Sequence, residues 1–435
     1  MTSPCKVLMI FPLFNAGSFW NYKETCALTG ARYPAAPLGL ITVAALLPKS
    51  WEIRLVNRNT EELADTDFDW ADIVMTGGML PQRNDTLFLI EMCRTHGKPV
   101  VVGGPDVTSS PSLYSTANFQ VLGEAEEIMA DFIAAWKRGD KRGTFKAPMG
   151  KTDVTKSPLP RFDLLKLNHY LHVGIQFSRG CPFSCEFCDI IELYGRVPRT
   201  KTNAQVIAEL DALYALGYRG HVDFVDDNLI GNKKALKTFL PDLKRWQKEN
   251  NFPFEFSTEA SINLADDPEL LRSLSDTNFF AIFVGIESPD TDSLVLMQKK
   301  QNTRRSLQQS IETIHRAGIF VNAGFIVGFD SEKGSVAQGM IDCIEDTSIP
   351  VCMVGLLYAL PTTQLTRRLL AEGRLFSGNE HTQSGDQCTA GLNFKTQRPR
   401  QDILNDYRTV LATIYAPSAY FGRVRRLGRM LKRER

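Results

Sequence analysis

The chain has 435 residues, 43% of them hydrophobic, and its 50 Lys and Arg nearly cancel its 49 Asp and Glu, leaving a formal net charge of +1. That length accommodates two or three domains, and the balanced charge argues against nucleic acid as a partner. The longest apolar stretches, residues 36–48 and 351–361, fall short of the ~20 residues that span a bilayer.

The first apolar run, Val7–Phe14, follows a single Lys6 and leads to no small-residue cleavage site, so it reads as a buried strand rather than a signal peptide. A cytoplasmic location is expected. Across residues 1–137, strands are predicted at Lys6–Pro12, Trp51–Asn57, Ile73–Thr76, Val100–Gly103 and Gln120–Leu122. Helical patterns such as Leu38–Leu47 and Arg83–Thr95 lie between them. Continuous apolar runs alternating with helices indicate a parallel sheet covered on both faces, here a five-stranded, doubly wound domain. Gly77-Gly78 and Gly103-Gly104 stand at the carboxyl ends of two strands, the edge where such sheets bind ligands. No G-x-G-x-x-G follows the first strand, so nothing marks a dinucleotide site.

Residues 138–165 open with the polar run Arg138–Gly143, continue through Pro148, Pro158 and Pro160, and read as an extended linker. Residues 166–375 then repeat strand and helix. Strands are predicted at His172–Phe177, His221–Val225, Phe254–Thr258, Ala281–Ile286, Val321–Val327 and Cys352–Tyr358. Helices are predicted at Ala204–Ala215, Lys233–Glu249, Thr303–Ala317 and Ser335–Glu345. Six such repeats favour a partial (β/α)6 barrel, whose chemistry sits at the carboxyl ends of its strands. Those ends carry the cysteines of the first loop, then Asp226-Asp227-Asn228, Glu259, Glu287-Ser288 and Gly328. Singly, Asp227 or Ser288 would more ordinarily be a helix cap. Residues 376–435 form a mainly helical extension, with a helix predicted at Gln401–Tyr415 and a basic tail from Gly422 to Arg433. A frayed, solvated terminus is the ordinary reading of that tail. An anionic membrane surface is the sharper one, because Val424, Leu427, Met430 and Leu431 approximate helical spacing.

The loop after the first barrel strand reads Ser178-Arg179-Gly180-Cys181-Pro182-Phe183-Ser184-Cys185-Glu186-Phe187-Cys188-Asp189. Three thiolates in one short loop suit three irons of a 4Fe–4S cubane, and leave the fourth iron open to an outside ligand. A structural zinc site wants four ligands, and the nearest histidines, His169 and His172, fall on the preceding strand. The remaining cysteines (Cys5, Cys26, Cys93, Cys343, Cys352 and Cys388) show no paired spacing, so a disulfide framework is a poor reading.

With the doubly wound domain before it and Pro37-Leu38-Gly39-Leu40 after its first strand, this motif resembles the cobalamin-binding radical S-adenosylmethionine (SAM) enzymes. Val225-Asp226-Asp227-Asn228, Ser257-Thr258-Glu259-Ala260-Ser261, Gly285-Ile286-Glu287-Ser288-Pro289 and the strand from Gly324 to Asp330 resemble the branch that includes hopanoid and bacteriochlorophyll C-methylases. The resemblance implies that Cys181, Cys185 and Cys188 hold the cluster and that SAM chelates the open iron. Phe187 would lie near the adenine, Asp226 and Asp227 near the methionine amine, and Glu259 at the ribose hydroxyls. The strand with Gly324, Ile326 and Gly328 would pass the adenine, while Glu287 would assist SAM or substrate, or pair with a cation. Pro37, Gly39, Gly77, Gly78, Gly103 and Gly104 would line the cobalamin site. The implied reaction is C-methylation of an unactivated carbon on an apolar isoprenoid or tetrapyrrole-type molecule, through a 5′-deoxyadenosyl radical and methylcobalamin. It needs an external electron donor of the flavodoxin or ferredoxin type.

Two departures stand out. The Asp-x-His-x-x-Gly motif of many cobalamin domains is absent: the chain has six histidines, and after the first strand it reads Pro12-Leu13-Phe14-Asn15-Ala16-Gly17. His96 lies in a turn, so any cobalamin is expected to bind without a histidine ligand. Leu360-Pro361-Thr362-Thr363 stands where relatives more often show Pro-Gly-Thr, which restricts the backbone there. Two rivals remain: a cyclase or rearrangement catalyst of the same class, and a non-catalytic cobalamin and cluster sensor.

Overall fold

The computed structural model describes residues 4–303, 306–376 and 391–431; Cys388 and the tail residues 432–435 lie outside them. The described residues form two compact units, one of residues 4–175 and 192–219, the other of residues 176–191, 220–376 and 391–431.

The first unit contains β1 (Lys6–Phe11), β2 (Tyr33–Ala35), β3 (Glu52–Asn57), β4 (Ile73–Gly77), β5 (Val100–Gly103), β6 (Phe119–Leu122), β7 (Gly143–Lys146) and β8 (Tyr170–Ile175). Its main sheet is parallel, in the order β3-β1-β4-β5-β6-β7. Successive side chains alternate between two cores. Leu8, Ile10, Val74 and Val102 point to one, against Phe68 and Leu89. Val7, Met9, Met75 and Val101 point to the other, against Phe119 and Phe132. Burial on both faces explains why these strands read as unbroken apolar runs.

Four strands escaped prediction, two of them the two-residue strands Ser178–Arg179 and Arg199–Thr200. β7 adds a sixth strand to the sheet inside the segment expected to be an extended linker, pairing Phe119 with Gly143 and Val121 with Phe145. It is an edge strand with only Phe145 as a strong apolar signal, and that ring packs against Phe119 and Phe132 at centroid distances of 6.5 and 5.9 Å. β2 pairs with β8 in parallel, Tyr33 beside Tyr170 and Ala35 beside His172. Three residues followed by Pro37 are too short for a periodic signal.

In the second unit, β9 (Ser178–Arg179) precedes β11 (Gly220–Phe224), β12 (Phe254–Glu259), β13 (Phe279–Glu287), β14 (Phe320–Val327) and β15 (Cys352–Leu356); β10 (Arg199–Thr200) belongs to the first unit. β11 to β15 pair in parallel in sequence order. The six strands expected of the barrel are therefore all present, as β8 and β11–β15. The helix Lys233–Glu249 shows how the sequence specifies its covering layer. Asn232 caps it by accepting from the Ala235 amide at 3.1 Å, and Leu236, Phe239, Leu240, Leu243 and Trp246 form its buried stripe. Phe224, Phe256 and Phe279 meet at centroid distances of 5.2–5.3 Å behind the strands.

As far as Met430 the basic tail is helical rather than frayed. Helix Pro417–Met430 docks on this unit through Arg423, which is fully buried. Its Nε donates to Ile349 O at 2.8 Å, Nη2 donates to Ile414 O at 2.6 Å, and Nη1 pairs with Glu345. Arg426 adds contacts to Ser348 Oγ at 3.0 Å and Glu345 Oε2 at 2.8 Å. Both guanidinium groups thus sit at the carboxyl end of helix Ala337–Thr347, where orphan carbonyls and the helix dipole favour cations. Replacing Arg423 by Ala removes one of the two cations on Glu345 and strands two carbonyls. It is expected to lower stability by about 3 kcal/mol or more, while Arg425→Ala, exposed on the same helix, leaves it unchanged. Chemical unfolding of the two variants checks this.

Candidate functional site

The cysteine loop is held at its stem by two carboxylates from the end of β11. Asp226 accepts from Phe177 N at 2.9 Å and from Ser178 N and Oγ, both at 2.5 Å. Asp227 accepts from Gly180 N at 2.8 Å. These bonds explain why β8 stops at Ile175 rather than at Phe177 as predicted: the next amides turn to Asp226 instead of continuing a ladder. Burial raises the Asp226 pKa to about 7 despite the three donors.

Beyond the stem, Cys188 N bonds to Cys185 O at 3.2 Å, and Glu186 N bonds to Met297 O at 3.1 Å. Cys181, Cys185 and Cys188 are free thiols, with Cys185 buried and Gln301 Nε2 3.8 Å from its sulfur. Burial, then the proximity of Asp189 and Cys185, pushes the Cys188 thiol well above its usual pKa; burial also raises Cys181. Cys181 and Cys188 thus resist ionising alone, and bound iron supplies the positive charge that turns such thiols into thiolates. Among the described residues, no three His, Cys, Asp or Glu side chains are gathered around one metal position. Cubane ligands attach to separate irons and need no such convergence. The residues present therefore fit a cluster.

Opposite the loop, β13 ends in a strained bulge. The β13–β14 register shifts between Gly285 and Glu287, and Glu287 adopts φ +66°. Asn302 Nδ2 stabilises the bulge by donating to Gly285 O and Ile286 O, each at 3.0 Å. The bulge aims Glu287 at Lys299, whose Nζ lies 2.6 Å from Oε1. A Cβ on Gly285 would stand 2.3 Å from that oxygen and 2.7 Å from the ammonium, so only glycine leaves room for the pair. Glu287 thus pairs with a cation. Burial alone would lower the Lys299 pKa, but Glu287 and the thiols of Cys185 and Cys188 outweigh it and hold the ammonium charged. Lys299 also stands 5.9 Å from the centroid of Phe187, which packs against Phe329 at 6.0 Å.

Glu259 is exposed at the end of β12, yet its surroundings and the charges of Asp223, Asp227 and Asp226 raise its pKa to about 8, with Lys299 opposing. Lower on the strands, Ser257 donates to Asp223 and lies 2.6 Å from His221 Nε2. On β14, a Cβ on Gly324 would meet the Phe283 ring at 3.0 Å, Ile326 is buried, and the space beside Gly328 is filled by Leu392 at 2.7 Å. Lys299, Asn302 and the His221–Ser257–Asp223 chain were missed in the sequence. Lys299 follows Gln298 and precedes Lys300 in an unremarkable polar run, and only the fold turns it inward. Thr362 adopts a left-handed backbone, at φ +67°.

In the first unit, Gly77, Gly78, Gly103 and Gly104 converge at the carboxyl edge of β4 and β5. A Cβ on Gly77 would stand 1.9 Å from Gly103 O, and Gly104, at φ +94°, approaches Gly78 N. Part of the need for glycine is therefore mutual packing of the two strand ends. Beneath them, Arg83 Nε and Nη2 grip Asp106 at 2.9 and 2.5 Å, and the Tyr114 hydroxyl donates to the same carboxylate. Leu13 and Met79, after β1 and β4, are exposed beside this bare backbone edge, which suits a broad ligand with an apolar face. Pro37 and Gly39 open helix Leu38–Leu46, with empty space where a Gly39 side chain would stand. His96 precedes β5, at the opposite edge, and stacks on Phe68 at 4.5 Å.

A family model described as the radical SAM superfamily matches residues 175–342, and one described as a domain of unknown function, DUF4070, matches residues 363–435. The chain is 45% identical to an uncharacterised methyltransferase of Synechocystis sp., over 96% of this chain and 77% of the relative. It is 35% identical to the hopanoid C-2 methylase of Rhodopseudomonas palustris, over 96% and 78% respectively. In fold it resembles the radical SAM methyltransferase TsrM from Kitasatospora setae, solved with cobalamin and a 4Fe–4S cluster bound. The TM-score is 0.67 at 15% identity, covering 85% of this chain and 75% of that one. The cysteine loop, the parallel strands and the similarity over 96% of this chain to named methyltransferases agree: the chain belongs to the radical SAM enzymes, in the family that includes hopanoid C-2 methylase.

Proposed function

We propose that this enzyme methylates an unactivated carbon of an apolar, isoprenoid-type molecule. The three free thiols on a loop pinned by Asp226 and Asp227 carry the reading, and the relative named for hopanoid methylation supports the substrate class. Cys181, Cys185 and Cys188 would hold the cluster. Phe187, Asp227, Glu259, Glu287 and Gly324 would surround SAM, with Asp226, Ile326 and Gly328 shaping the backbone around it. Pro37, Gly39, Gly77, Gly78, Gly103 and Gly104 would bound the cobalamin site. When bound, these groups supply radical formation and the methyl donor, while the protein orients them and excludes water. Lys299 keeps a positive charge near the thiols and Glu287 fixes its place. An electron donor of the flavodoxin or ferredoxin type would reduce the cluster.

No helix of the described residues is long and apolar enough to cross a membrane. On helix Pro417–Met430, however, Phe421, Val424, Arg425 and Arg429 remain outward after Arg423 and Arg426 are committed to the protein. This face would rest on an anionic cytoplasmic membrane surface, where an apolar substrate collects.

Three outcomes follow. Cys185→Ala should abolish reductive formation of 5′-deoxyadenosine, and wild-type turnover should add one methylene to the product mass; turnover without that gain would overturn methylation. Glu259 is raised from about 4.3 in an unfolded chain to about 8 in the folded one. Folding therefore takes up a proton between those values, and its contribution to stability falls as pH rises through that window. Glu259→Gln should then raise the melting temperature of the cofactor-free protein at pH 8 while weakening SAM binding, a combination measurable by thermal shift and equilibrium dialysis. Finally, the triple variant Phe421→Ser/Arg425→Gln/Arg429→Gln should lose sedimentation with phosphatidylglycerol vesicles at low salt and keep its melting temperature. Unchanged sedimentation would defeat the membrane contact.

A further inference from the structure

The extension matched by the family model of unknown function reaches back to the cysteine loop. Glu186, between Cys185 and Phe187, is its target. The Glu186 carbonyl accepts from Leu365 N at 2.9 Å, in the first turn of helix Gln364–Ala371. One turn later, Arg368 grips both carboxylate oxygens of Glu186, Nε at 2.5 Å and Nη2 at 3.2 Å. The remaining arm of the same guanidinium, Nη1, donates to Asp330 Oδ2 at 2.9 Å.

Asp330 follows Phe329 just past the end of β14, and Phe329 packs on Phe187. Arg374 holds the other side of Asp330, at 2.5 and 2.8 Å. A parallel chain runs through Glu332, which accepts from Gly328 N at 2.8 Å and Phe329 N at 3.0 Å and is paired with Arg398 at 2.6 Å. Arg398 in turn holds Asp406 at 2.7 Å. Arginines of the extension therefore tie the cysteine loop and the β14 end to a common frame.

An ordinary surface pairing would look different. Arg368 also meets Glu372 at 3.2 Å, one helical turn away, and such an exposed pair would contribute little. The contact with Glu186 is instead a fork against a carboxylate 182 positions away in the chain, the geometry in which arginine fixes orientation as well as charge. Without Arg368, the carboxylates of Glu186 and Asp330 lose a shared cation. The loop and the strand end would then be free to shift relative to one another.

We infer that the extension acts as a clamp for the radical site, with Arg368 the positioning residue that sets the cysteine loop against the end of β14. This rests on the cluster reading above. Because a displacement of about 1 Å in a catalytic arrangement can cost on the order of 100-fold in rate, the clamp governs how well SAM is held without itself touching it.

The test uses the full chain reconstituted with iron, sulfide and cobalamin. Iron content and cluster absorbance report loading; the electron paramagnetic resonance signal of the reduced cluster, titrated with SAM, reports positioning. Arg368→Gln should load a full cluster but require about tenfold more SAM to convert the signal, with a matching rise in KM for 5′-deoxyadenosine formation. The exchange Glu186→Arg/Arg368→Glu should recover at least half of that loss. Arg316→Gln, in an exposed pair with Glu312, should titrate as the wild type. A wild-type titration curve for Arg368→Gln overturns the clamp. So does an exchange variant that loads a full cluster but titrates no better than Arg368→Gln. Should Arg368→Gln fail to fold, the exchange variant decides alone: a loaded cluster with near wild-type titration supports the clamp, and any other result overturns it. Absence of a cluster in the wild type would instead remove the reading on which the clamp rests.

Discussion

Asp226 gives up almost all contact with water to accept three hydrogen bonds from Phe177 and Ser178, and Asp227 takes the Gly180 amide beside it. A buried carboxylate is costly unless its lone pairs are filled. Here they are filled by the residues that lead into Cys181, so the cost of burial and the placement of the cysteines are one arrangement. Moving the loop would expose a carboxylate with no replacement donor, or strand the amides. The barrel needs this rigidity because a short loop of small and aromatic residues has no core of its own.

One inward ammonium offsets part of the acidic charge around the site. Asp223, Asp226, Asp227, Glu259 and Glu287 supply the carboxylates, and Lys299 stands among Glu287, Cys185 and Cys188. The strained conformation of Glu287 persists because Asn302 holds the bulge carbonyls and Gly285 vacates the space the pair occupies. A site rich in carboxylates with a fixed cation suits a positively charged cosubstrate such as SAM. It attracts that charge without collapsing onto itself.

Much of this was legible in the sequence, for identifiable reasons. Every one of the eleven expected strands formed, and β1, β4 and β5 announce themselves as apolar runs because they have cores on each side. The cysteine triplet was readable because thiolate spacing is local. What failed was either weak or non-local. β7 is an edge strand with one strong side chain, and β2 is three residues long. Arg423 and Arg425 are indistinguishable in sequence, yet one is fully buried and the other exposed, since only the docked helix decides which faces Glu345. Lys299 meets Phe187, and Arg368 meets Glu186, solely through contacts far apart in the chain.

Thr362 shows where the scaffold spends stability on geometry. A β-branched residue at φ +67° is held in a conformation that costs on the order of 1 kcal/mol or more relative to glycine. It sits immediately before Thr363, whose hydroxyl caps the helix at Thr366 N. A glycine there would relax the turn but would also let it swivel, since glycine populates many backbone states. Threonine leaves the turn few alternatives, so the helix that begins after it leaves at one angle. Glycine at this position would therefore trade aim for a more relaxed backbone.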